Sequence, residues 1–108
     1  WIRHHEGEQP VFLQVGFPGP HEPWDAPGRV RQLYDGRPLP PHPVPPDGEL
    51  DRKPPQHRAH QRFHATVDHE SRIAMPDATP DDIDRMRRAY FAKVTFVDEQ
   101  IGKVLGAL

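Results

Sequence analysis

Val11-Phe12-Leu13-Gln14-Val15-Gly16-Phe17 runs directly into Pro18-Gly19-Pro20-His21-Glu22-Pro23-Trp24, and this junction decides how the chain is read. A short apolar run bounded by Pro and Gly predicts a strand over 11–17 that is covered on both faces. The Pro/Gly cluster stops the strand abruptly and restricts the backbone that follows. In open α/β sheets, ligands bind in the loop outside the carboxyl end of a strand. His21, held between two prolines at that place, reads as an imidazole positioned at a site.

The remaining chain offers little with which to close a core. Of 108 residues, Leu, Ile, Val and Phe supply 23, concentrated in 11–17 and 83–108, and Pro and Gly supply another 23. One strand and one helix must each bury an apolar face against another layer, so the chain is expected to be part of a larger protein. Leu105 and Leu108 still follow the helical period at the last residue, which agrees with that expectation. No starting Met or targeting segment is present, and no run approaches the roughly 18 apolar residues of a membrane span. With no Cys there is neither a disulfide framework nor thiol chemistry, and a formal net charge of -2 gives no argument for nucleic acid as a partner.

Residues 1–10 read as a polar lead-in, the end of a helix. Pro27 to Tyr34 predicts a short helix with Val30, Leu33 and Tyr34 on one face. Eight prolines between 38 and 55 rule out a regular helix or central strand there. Extended backbone coating a larger domain is expected, with a Pro-rich ligand for a partner as the alternative. The span 38–77 is expected to be mainly irregular. Arg52, Lys53, Arg58 and Arg62 carry positive charge through a stretch without acids. His57, His60 and His64 could share a helix face there as metal ligands. No Cys or well-spaced carboxylate completes such a set, so the stretch reads as a solvated basic surface.

The C-terminal segment predicts a long helix over 80–108. Thr79 can cap it, Pro80 suits its first position, and Asp81 and Asp82 complement the positive end of the helix dipole. Thr79 and Asp82 have capping-box spacing. Ile83, Met86, Tyr90, Val94, Val97, Ile101, Val104 and Leu108 step by three or four into one apolar stripe. Arg85, Arg87, Arg88, Lys93 and Lys103 fall mostly off it.

The stretch Pro10 to Pro27, with Tyr34-Asp35, Leu39-Pro40-Pro41, Arg88-Ala89-Tyr90-Phe91-Ala92-Lys93-Val94 and 97–108, resembles the sulfatase family of the alkaline-phosphatase-like superfamily. The first part is similar to that family's middle strand and Pro-His-x-Pro loop. The last part is similar to the helix before a strand that carries part of the metal site. The resemblance implies an α/β fold: one strand over 11–17, a mostly irregular 18–80 and a helix over 80–108 of a partial catalytic domain. It implies hydrolysis of a small-molecule sulfate ester by a metal-bound formylglycine. A divalent metal, calcium, is the implied cofactor.

In the family, the loop histidine contacts the sulfate ester near its leaving oxygen, which implies a catalytic and substrate-binding role for His21. An imidazole can donate to an anionic oxygen or protonate a departing alkoxide. Glu22 and Trp24 are candidates for shaping the same pocket.

The rest of the family's site has no match here. Formylglycine arises from Cys or Ser in Cys/Ser-x-Pro-x-Arg, whereas the single Ser, Ser71, precedes Arg72-Ile73-Ala74-Met75. Asp81-Asp82 opens a helix, and Asp68-His69 lies before the long helix with no apolar strand ahead of it, so neither is taken as a metal ligand pair. The isolated chain is expected to be inactive. A phosphonate or phosphate ester hydrolase of the same superfamily and a non-enzymatic Pro/His-rich interaction segment are the alternatives. Neither nucleic acid nor membrane is expected as a partner.

Overall fold

A computed structural model describes residues 2–4, 10–66 and 78–108. Its regular elements are helical: a 3₁₀ turn at Ile2–His4, α1 (Gly28–Arg31) continuing into a 3₁₀ turn at Gln32–Tyr34, a 3₁₀ turn at Glu49–Asp51, α2 (Pro55–Thr66) and α3 (Pro80–Leu105). The 26 residues of α3 make a rod about 39 Å long at 1.5 Å per residue.

Local chemistry sets where α3 starts. Thr79 Oγ1 accepts from the Asp82 N–H at 3.2 Å, while the Thr79 N–H donates to Asp82 Oδ2 at 2.9 Å. Two N–H groups left over at the helix start are thereby satisfied reciprocally, and Pro80 occupies a position where a missing N–H costs nothing. Hydrogen bonds from Thr79 and then Arg85 hold the Asp82 carboxyl down to about 2. At the other end, the helix stops short of the expected 108. Gly106 caps it, its N–H donating to Gly102 O at 2.9 Å.

The centre of packing lies where α1 crosses α3. Ala26, Val30 and Ala92 are buried, Val30 completely, and Tyr34 and Phe96 pack around them half-buried. A small residue at 92 lets the two backbones approach. Polar ties surround this seam. Tyr34 Oη lies 2.6 Å from Thr95 Oγ1, and the Arg29 guanidinium grips both Glu99 oxygens at 2.9 and 2.6 Å. Arg88 donates to the carbonyls of Tyr34 and Arg37, and the Tyr34 ring stacks on Phe91 at 6.0 Å. The Gly28–Tyr34 helical turn thus follows the expectation except at Leu33, which is half exposed; the turn offers α3 one narrow edge, and Val30 and Tyr34 fill it.

At two places the described residues differ from expectation. Residues 11–17 form no strand, and no strand occurs among the described residues; Val11, Leu13 and Val15 stand about half exposed and Phe12 is 92% exposed. A strand's N–H and C=O groups need a neighbouring strand, and nothing among the described residues supplies one. The second difference is α2, a 12-residue helix inside the span expected to be mainly irregular. Pro55 sits at its first position, where proline is tolerated, and 56–66 contains neither Pro nor Gly to break it. The Arg58–Asp51 ion pair ties its first turn to the preceding 3₁₀ turn. All its described side chains are exposed.

The three buried apolar residues leave the described residues open in form. The radius of gyration is 19.3 Å, where about 13 Å is usual for a compact domain of 108 residues. No described helix is long and apolar enough to cross a membrane.

Candidate functional site: the Pro-His-x-Pro loop on α3

Residues 18–25 form a tight loop with cis peptide bonds at Gly19-Pro20 and Glu22-Pro23. His21 stands at its tip with about two-thirds of its side chain exposed. Its Nδ1 lies 3.0 Å from the Glu22 carbonyl oxygen. A carbonyl can only accept, so Nδ1 carries the proton in this hydrogen bond and the neutral ring has its basic lone pair on Nε2. Glu22 Oε2 is 3.5 Å from the same nitrogen.

The loop is closed on itself by Trp24, whose indole N–H donates to Pro20 O at 3.0 Å. The Asp25 N–H donates to Pro23 O at 3.0 Å. Three of the bracketing residues then meet α3. Trp24 and Tyr90 pack edge to face at 6.3 Å. Lys93 Nζ donates to Asp25 Oδ1 at 2.5 Å. That bond, the Asp25 backbone N–H and the positive charge of Lys93 together hold the Asp25 carboxyl below its usual range. Gly19 lies so close to the helix that a Cβ there would stand 2.9 Å from Lys93 Cε and 3.0 Å from Val97 Cγ2.

The three expected site residues, His21, Glu22 and Trp24, therefore fall in one loop, but with different tasks. His21 faces outward, Glu22 lies beside it mostly covered, and Trp24 is spent on holding the loop. Sequence reasoning missed Gly19, Asp25, Tyr90 and Lys93. A signal existed for Lys93: four residues before Val97, it sits only about 40° from it around the helix, at the edge of the apolar stripe. Its side chain is 14% exposed.

Among the described residues no group of three or more His, Cys, Asp or Glu could hold a metal ion. Asp82 is committed to the helix cap. Asp68-His69 and Ser71 lie outside the described residues, as does the side chain of His64. The described residues thus offer no ligand set for a divalent metal.

The chain is 31% identical over 105 residues to choline-sulfatase of Rhizobium meliloti (strain 1021), covering 95% of the chain and 19% of that protein. It is 34% identical over 104 residues to iduronate 2-sulfatase of Homo sapiens, covering 92% of the chain and 18% of that protein. The mouse iduronate 2-sulfatase is also 34% identical, over 109 residues. The chain belongs to the sulfatase family. With 92–95% of it matched, the His21 loop and nearly all of α3 lie within the sulfatase-like stretch. The chain spans about a fifth of the length of these curated relatives. No family model matches the chain, and no solved structure matches it.

Proposed function

We propose that this sulfatase segment belongs to a hydrolase of small-molecule sulfate esters, and that His21 serves the leaving-group oxygen. The observation that carries this reading is an exposed imidazole at the tip of a Pro-bracketed loop, tied to α3 inside a stretch that matches sulfatases along nearly its whole length. The domain is an alkaline-phosphatase-like α/β fold in which 11–17 is a strand of the parent sheet. There the exposed Val11, Phe12, Leu13 and Val15 gain the layers that these residues cannot supply by themselves.

In this reading the nucleophile, a formylglycine, and the ligands of a calcium ion belong to parts of the relatives that the chain does not span. No step is assigned to either. What this chain supplies is a proton at a stated place. With Nδ1–H held by the Glu22 carbonyl, the second proton resides on Nε2, and Nε2–H passes it to the oxygen of the departing alcohol. Glu22 Oε2 stands 3.5 Å from Nδ1, on the side of the ring away from the transferred proton. Imidazole as a residue type is suited to take a proton from water and deliver it within one cycle.

The test is His21→Ala and His21→Gln in the full-length protein, assayed on sulfate esters of graded leaving-group acidity. General acid assistance is worth about 10²–10⁴-fold, and kcat on an alkyl sulfate is expected to fall by that much. Nitrophenyl sulfate, whose leaving group departs without a proton, is expected to lose far less. Near-wild-type turnover on the alkyl sulfate, or an equal loss on both esters, refutes the role.

A further inference from the structure

One side chain of α3 touches both flanks of the His21 loop. The aliphatic stem of Lys93 lies against Gly19, two residues before His21, at the spacing where even a Cβ would collide. Its ammonium reaches Asp25, four residues after His21, at 2.5 Å. Lysine on a helix ordinarily buries its stem and keeps its charge in water. Here the stem is folded in to 14% exposure and the charge is directed at a carboxylate of the loop, itself 68% exposed. One turn earlier, Tyr90 supports Trp24, which donates back to Pro20 O beside His21.

We infer that Lys93 is a positioning residue for His21: by spanning Gly19 and Asp25 it sets where the loop presents the imidazole. The inference rests on the proposed role of His21. With its carboxylate 68% exposed, the pair contributes little to the stability of a whole protein, so its consequence is local. Local placement is where an acid catalyst is sensitive, because a displacement of about 1 Å can cost up to 10²-fold in rate. The contacts Lys93 makes to Gly19 and Asp25 mean that it acts through the loop.

The experiment uses the full-length protein and an alkyl sulfate. Lys93→Met keeps the stem over Gly19 and removes the ammonium; Asp25→Asn removes its partner. Each is expected to lower kcat by about tenfold with KM changed less than about twofold, since the aligned imidazole matters chiefly in the transition state. The two together are expected to cost no more than either alone. In a His21→Ala background, Lys93→Met is expected to cost nothing further. Unchanged kcat in both single variants overturns the inference, as does a Lys93→Met loss that persists undiminished without His21. His21→Ala alone separates the two readings: wild-type turnover there refutes the role of His21 itself, whereas a large loss combined with an additive Lys93 effect refutes only the positioning. Should Lys93→Met fail to fold, Asp25→Asn, a change on an exposed carboxylate, supports the same comparison.

Discussion

Gly19→Ala is the sharpest probe of how the loop sits on α3. The added methyl would stand 2.9 Å from Lys93 Cε and 3.0 Å from Val97 Cγ2. Carbon atoms in favourable contact lie about 3.5–4.0 Å apart, so both neighbours must yield by roughly half an ångström or more. Lys93 can yield, because Cε is near the free end of a flexible chain, but withdrawing it pulls Nζ off Asp25. Val97 has only its χ1 to turn, and as a β-branched helical residue it has one strongly preferred rotamer. Overpacking of this kind costs about 1–3 kcal/mol. The cost falls on the loop, so the assay is native-state hydrogen exchange at the Asp25 N–H, which bonds to Pro23 O. A loss of about 1–3 kcal/mol in local opening free energy speeds exchange by about 5- to 160-fold. In a Lys93→Ala background the closest clash is gone, and the penalty of Gly19→Ala is expected to shrink by at least about 0.5 kcal/mol. Wild-type exchange in Gly19→Ala, or an identical penalty with and without Lys93, refutes the close packing on which this rests.

Val30→Ala, which empties a completely buried site between α1 and α3, is expected to cost about 1–3 kcal/mol, whereas Leu33→Ala, at a half-exposed position three residues on, is expected to change stability by less than about 0.5 kcal/mol; exchange at the Asp35 N–H, bonded to Gln32 O, reports both. For Asp82 the carboxyl is depressed from an ordinary value of 3.8 to about 2. A depressed acid stabilises the folded form above its unfolded pKa, so the cap's contribution is expected to be intact above about pH 4 and to disappear as pH falls through about 2. The chemical shift of the Thr79 N–H, which donates to Asp82, follows the titration; a midpoint near the ordinary carboxylate value refutes the capping geometry.

What was legible without coordinates was what neighbours in sequence decide. Thr79, Pro80 and Asp82 specify a helix start among four consecutive residues, and the 3–4 spacing of apolar residues after them specifies its axis; neither needs a distant partner. The prolines around His21 likewise marked the loop. α2 was missed although its cue was equally local. Density of proline over 38–55 was read as reaching beyond 55, while Pro55 closes the proline run and begins a helix. The strand expected at 11–17 does not form among the described residues for the opposite reason: its apolar pattern describes a segment suited to a sheet, but pairing is a property of two strands, and the second is absent among the described residues.

The sequence by itself determined the long helix, its cap, the Pro-bracketed histidine and, through their order, the sulfatase family. Only the tertiary structure decided that Val30 rather than Leu33 is the buried residue of α1, and that Lys93, nominally off the apolar stripe, closes over Gly19 and reaches Asp25. The physical reason is range. Capping and helical periodicity are settled within one or two turns of chain, but Lys93 and Asp25 stand 68 residues apart. Which side of a helix edge a lysine takes depends on the backbone that arrives beside it, and that approach is set by how α1 and the loop lie across α3.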